Sequence, residues 1–159
     1  MSYPSDTRPD IIVRELRPEE FPRILPLIEK HNAKIDPAEL RRRLEVMLPH
    51  GYHCIAAFDG EHIVGVAGYW LGARFYCGEF MDVDNVVVEE SMRSAGIGAK
   101  LMDWLHAKAA ELGCKVVVLD SYVTYVGAHR FYFRQGYEIL GFHFSRKVEA
   151  LEPTYRLSA

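Results

Sequence analysis

The chain has 159 residues, is 49% hydrophobic and 26% charged, and carries a net charge of −3 with histidine neutral. That length and balance fit one folded unit with a sizeable core. The weak negative charge offers no basic field for duplex nucleic acid, and the longest apolar run, 63–73, falls well short of the ~20 residues needed to span a bilayer.

Residues 1–10 read as a loose tail and 11–159 as a single domain. IIVREL (11–16) has the composition of a strand. Helical spacing of Phe21, Ile24, Leu25 and Ile28 predicts a helix over 19–32, which Pro22 and Pro26 should kink or shorten. A cleaner helix is predicted over 36–48, with Asp36 as N-cap, Pro37 at the first turn, and Leu40, Leu44 and Leu48 on one face. Strands follow at 52–58 and 62–71, joined by a tight turn at DGE. A loop near Gly72–Tyr76 leads to a long strand, GEFMDVDNVVV (78–88). The 96–112 segment is strongly helical, with Ile97, Leu101, Leu105 and Ala109 aligned and Gly113 ending it. KVVVLD (115–120) reads as a buried strand, 128–135 as a short helix stopped by Gly136, and 137–140 and 143–148 as final strands. Hairpin-linked strands imply antiparallel pairing, and the strand–helix–strand unit from 83 to 120 implies one parallel pair. The fold class expected is α/β, with a mixed, mostly antiparallel sheet and helices on both faces.

The segment RSAGIGAKL (93–101) holds the chemistry. A strand, a glycine-rich turn and a helix suit an anion, because the first amides of the helix point at it and the helix dipole adds to the field. A nucleotide P-loop fails, since Lys100 comes two residues after Gly98 and no Ser or Thr follows it. A dinucleotide fold fits G-x-G and the acid Asp120 at the end of the next strand. It fits poorly at Leu101, and only 39 residues follow Asp120, too few for the remaining units of a doubly wound sheet. The third option is a pyrophosphate cradle from Ser94, Ala95, Gly96, Ile97, Gly98 and Ala99, with Arg93 supplying charge. A flexible glycine entry to a helix without a ligand is the plain alternative.

A second motif, AHRFYFRQGY (128–137), follows the next strand. Together, R-x-x-G-x-G after VVV and A-x-x-F-Y-x-x-x-G-[FY] resemble the GCN5-related N-acetyltransferases, and the order of strands and helices matches over nearly the whole chain. The resemblance implies acetyl-coenzyme A as co-substrate, its pyrophosphate on the 93–99 cradle. It also implies that the pantetheine arm pairs with the free backbone edge of Val86, Val87 and Val88, and that Ala128 and Phe131 belong to the coenzyme site. Tyr125 stands where many relatives have an asparagine contacting the pantetheine. That contact is then lost, replaced by the hydroxyl, or taken by Ser121 or Thr124.

Direct attack of an amine on the thioester needs a base, a donor to the developing oxyanion and a proton for the departing sulfur. The resemblance places the acid at Tyr132 and the oxyanion donor at a backbone N–H near Val86–Val87, and puts an acidic residue of several relatives at Asp84. Asp82 and Asp84 alternate onto one face of a regular strand, roughly 6–7 Å apart, close enough to raise each other's pKa. Asp84 is the expected base. With Glu79 and Tyr76, Asp82 is expected at the acceptor. The other readings are that these acids hold a cationic acceptor or face solvent, and that Tyr132 only packs beside Phe131 and Phe133.

Cys54, Cys77 and Cys114 form no C-x-x-C pair, and the seven histidines show no paired metal spacing, so no disulfide framework and no metal are expected. The N-terminus lacks the apolar core of a signal peptide, which with these thiols favours the cytoplasm. The acceptor expected is a primary amine of a small molecule or protein, with no nucleic acid or membrane partner. A homodimer through the C-terminal strands is implied by resemblance alone. The competing function is a non-catalytic coenzyme A-binding module for regulation or interaction.

Overall fold

In the computed structural model, residues 10–148 are described; all but the last residue of the tail expected at 1–10, and the chain beyond 148, lie outside them. Five strands form one sheet in sequence order: β1 (Ile12–Glu15), β2 (His53–Asp59), β3 (His62–Arg74), β4 (Gly78–Val88) and β5 (Val116–Leu119). Every neighbouring pair is antiparallel except β4 and β5, which run parallel through the crossover helix between them. This is the mixed sheet expected from the sequence.

Helices α1 (Leu25–His31) and α2 (Pro37–Met47) cover one face of the sheet, while α3 (Ile97–Glu111) and α4 (Val126–Arg134) cover the other. Two cores result. Phe21, Leu25, Leu44 and Val66 pack in the first, and Ile55, Met81, Leu101 and Leu105 in the second. The prolines split the helix expected over 19–32. Pro18–Ile24 is a 3-10 segment containing Pro22, and Pro26 sits in the first turn of α1, where a missing N–H costs nothing. Asp36 caps α2 by accepting a 2.8 Å hydrogen bond from the Ala38 amide, as expected.

Two expectations need correction. Residues 72–74, read as loop, extend β3, and Arg74 pairs with Gly78 across a short hairpin. The strands read at 137–140 and 143–148 are not formed: no strand is present in 137–148. Alternating apolar residues there have strand propensity but no hydrogen-bonded neighbour among the described residues, where the sheet ends at β5. Leu140, Phe142 and Phe144 are consequently exposed.

A buried-side anchor holds the entry to α1. Glu20 accepts from both Arg14 guanidinium nitrogens, at 3.0 and 2.8 Å, and from the Arg17 amide at 3.1 Å. The hydrogen bond from Arg14 is the main cause of a Glu20 pKa lowered from 4.5 to about 2. Because the folded-state value is depressed, this contribution to stability is present above pH ~4.5 and is lost as pH falls toward 2. Glu20→Gln is therefore expected to flatten the acid limb of the melting temperature against pH while lowering it at pH 7. An acid limb identical to that of the parent protein would remove Glu20 as its source.

Candidate active site

The parallel pairing of β4 and β5 runs from Phe80–Val116 to Val83–Leu119 and stops. Beyond it β4 continues to Val88, so among the described residues the edge of 84–88 has no strand beside it on that side. A cavity of about 440 Å³ opens at this parting. Asp82, Asp84 and Val86 line it from β4, Asp120 and Ser121 from the end of β5, Tyr125, Ala128 and Tyr132 from α4, and Trp70 and His31 from the opposite side.

Asn85 sets which way the β4 side chains beyond it point. In the β3–β4 register Gly68 faces Asp84 and Val66 faces Val87, so Asn85 and Val86 together oppose Ala67. Such a bulge needs an unusual backbone, and Asn85 adopts φ 51°, which asparagine tolerates better than most residues. The alternation of side chains shifts by one. Met81, Val83, Val86 and Val88 face α3, whereas Val87 packs under α1 and α2. Opposite Asp84, Gly68 is glycine for a steric reason: a Cβ there would run into the hydroxyl end of buried Tyr52.

Burial raises the pKa of both aspartates. For Asp84 a weaker opposing effect comes from hydrogen bonds of the Asn85 amide and the Trp70 side chain. For Asp82 the nearby Asp120 carboxylate raises it further, and Arg74, 4.0 Å away, works against that. On the other wall, burial pushes the Tyr132 phenol above 10.0. Its ring meets Phe131 and Tyr137 edge-on at 5.2 and 5.8 Å. Tyr132 is therefore both a packed aromatic and a protonated phenol on the cavity wall.

The expected anion cradle lies past the free edge of β4. Residues 90–92 make a 3-10 turn, Ser94 and Gly96 take left-handed conformations at φ 68° and 81°, and α3 starts at Ile97. No side chain caps α3. The leading amides of the helix are thus left for an anion, which fits a pyrophosphate. Arg93 is exposed and 3.7 Å from Glu90. Gly98 has a second function, because a Cβ there would crowd the Phe131 ring at 3.1 Å. Phe131 thereby joins the two sequence motifs by packing α4 against the start of α3.

Two expected acceptor residues are not in the cavity. Glu79 points to the other face of β4 from Asp82 and Asp84 and is exposed, and Tyr76 sits at the β3–β4 hairpin tip, where its hydroxyl accepts from Arg74 at 2.9 Å. His31, Asn85 and Asp120 are in the cavity lining and were not expected there. Asn85 carried one signal, an asparagine inside an otherwise valine- and acid-rich strand. His31 carried none.

An acetyltransferase (GNAT) family model matches residues 12–137, which includes both motifs and the whole sheet. A curated relative, the aminoalkylphosphonate N-acetyltransferase of Salmonella typhimurium, is 27% identical over 101 residues, covering 63% of this chain. The chain spans 65% of that relative's length. Among solved structures, glucosamine-6-phosphate N-acetyltransferase from Arabidopsis thaliana is 20% identical with a TM-score of 0.68, covering 87% of this chain and 99% of that one. An aminoglycoside acetyltransferase from an uncultured soil metagenomic sample is 17% identical with a TM-score of 0.73, covering 87% and 97%. These two structures share the fold.

Proposed function

Because the chain belongs to the acetyltransferase (GNAT) family, we propose that it is an acetyl-coenzyme A-dependent N-acetyltransferase acting on a primary amine. The observation that supports this most is the parting of β4 and β5, with Asp84 and Tyr132 on opposite walls of the same cavity. The coenzyme would be held by amides of the 94–99 turn other than that of Ala95, which donates to the Met92 carbonyl at 3.3 Å, and by the free edge of Val86–Val88, and it would supply an acetyl group already activated as a thioester.

The chain's own groups then do three things. Asp84, with its pKa raised by burial, takes a proton from the acceptor ammonium directly or through a water. A backbone N–H beside the bulge, near Val86 or Val87, faces the carbonyl oxygen as charge builds there. Tyr132 donates its hydroxyl proton toward the leaving sulfur. Asp82 keeps the entrance negative.

The acceptor is a small amine. The relatives are named for an aminoalkylphosphonate, glucosamine 6-phosphate and an aminoglycoside, which differ in charge. Among the described residues, three aspartates and one histidine line this cavity, and no lysine or arginine does. That lining suits an ammonium better than a phosphonate or phosphate, since the Arg74 guanidinium beside it, 4.0 Å from Asp82, is already turned to that carboxylate.

Calorimetric titration with acetyl-coenzyme A, using NADH as control, tests the reading. Saturable binding of the first alone is expected, whereas binding of NADH alone would overturn it. Gly96→Val carries the test to the cradle. A β-branched residue at φ 81° costs roughly 1–3 kcal/mol, and relaxing the turn moves the amides that face the anion. The expected dissociation constant for acetyl-coenzyme A rises about tenfold or more. An unchanged value in the folded variant would place the pyrophosphate elsewhere.

A further inference from the structure

A second chamber, of about 170 Å³, lies between α1, α2 and the sheet, and it shares Asp84 and Asn85 with the first cavity. Its walls are mostly apolar: Ile28 from α1, Ile35 from the connection, and Leu40, Leu44 and Met47 from α2. Asn32, at the end of α1, also lines it, and its Nδ2 donates to the Ile28 carbonyl at 2.9 Å. Asp84, Asn85 and the Tyr52 ring close the inner end, where the two cavities meet. Arg43 is at the exposed side, where Glu39 already engages its guanidinium at 2.8 Å.

We propose that this chamber holds the body of the acceptor, and that the substrate is a primary amine bearing a single positive charge on a compact apolar group of about six to eight carbons. The inference rests on the function proposed above and makes it specific. A carboxylate at the junction can hold an ammonium, and a nitrogen placed there faces the first cavity while its carbon skeleton extends into the second. Inside the chamber a second ammonium would find no second carboxylate among the described lining residues, only the Asn32 amide oxygen and aliphatic walls, and Arg43 is already paired with Glu39. The size agrees: an apolar cavity of about 150 Å³ accommodates benzene, so this one takes a phenyl, benzyl or hexyl group. A polyamine would have to leave a second ammonium among Ile28, Ile35 and Leu44. An aminoalkylphosphonate would bring an anion to Asp84.

The test is a kinetic panel with acetyl-coenzyme A held saturating. Ethylamine, butylamine, hexylamine and benzylamine probe the chamber, and 1,4-diaminobutane and 2-aminoethylphosphonate probe the charge rule. The expected kcat/KM rises about threefold or more per added methylene up to hexylamine, following the burial of each group, and benzylamine exceeds ethylamine by a similar total. Acetylation with no dependence on chain length, or with the diamine or the phosphonate preferred, overturns this proposal and leaves the N-acetyltransferase reading standing. Acetyl-coenzyme A binding with no amine acetylated removes both.

Filling the chamber provides the second readout. Ile28→Phe and Ile35→Phe are each expected to lower the ratio of hexylamine to ethylamine kcat/KM by about tenfold, in proteins whose folding is checked by acetyl-coenzyme A titration. Ile35 stands on the connection between α1 and α2, so its variant guards against a failure of α1 to fold. An unchanged ratio in both folded variants overturns the proposal.

Discussion

Tyr132→Phe is expected to lower kcat by roughly 10²–10³-fold, within the range contributed by a positioned general acid, while acetyl-coenzyme A binds as before. The substitution removes one oxygen and leaves the ring, so the edge-on contacts with Phe131 and Tyr137 persist. Burial explains why this phenol serves as a donor. Its pKa is raised above 10.0, so it remains protonated throughout the neutral range, and sulfur leaving into the same half-dry cavity is a poorly solvated anion that needs a partner. The readout is steady-state turnover alongside a calorimetric titration. Reduced kcat with an unchanged dissociation constant supports the role. Unchanged turnover would leave Tyr132 as a packing residue, and lost binding would make it part of the coenzyme site instead.

Asp84→Asn is the second large effect. An alkylamine with pKa near 10.4 is unprotonated in only about one molecule in 2,500 at pH 7, a deficit of roughly 4–5 kcal/mol that a base at the acceptor offsets. The asparagine variant has no such base and must use the free amine already in solution. Its kcat/KM is expected to climb about tenfold per pH unit until the acceptor's own pKa, falling roughly 10²–10³-fold below the parent protein at pH 7 and meeting it near pH 10. The parent protein should level out at lower pH, with its acid limb set by an Asp84 whose pKa is raised by burial. Parallel profiles for the two proteins would move the base to a water or to Asp82.

The unit from β4 to α4 was the most legible part of the chain, because its signals are local. Glycines at 96 and 98, a helical repeat from Ile97, a valine strand and the Phe131–Tyr132 pair each sit within a few residues of what they specify. Features that depend on register were not legible. The bulge at Asn85 exists only in relation to β3, where Gly68 opposes Asp84 and Val66 opposes Val87. The need for glycine at 68 comes from Tyr52, sixteen positions earlier in the sequence and across the sheet. His31 and Asp120 reach the cavity through topology, one at the end of α1 and the other after β5. Glu79 was readable and misplaced, since simple alternation already separates it from Asp82 and Asp84. The C-terminal strands were over-read for the opposite reason: propensity at Ile139 to Phe144 was visible, and the absence of a pairing partner among the described residues was not.

The left-handed residue in β4 also divides the strand into two inheritable halves. Upstream of Asn85, side chains at 82 and 84 face the α1–α2 layer, on the side proposed for the amine; downstream, the main chain of 86–88 forms the edge proposed for the coenzyme. On the proposed function, substitutions at Ile28, Ile35 and Leu44 above the first half are expected to alter what is accepted while leaving the edge for the donor in place. A single strand can thus present side chains to one partner and main chain to the other, and the residue at which it changes over, Asn85, borders both cavities.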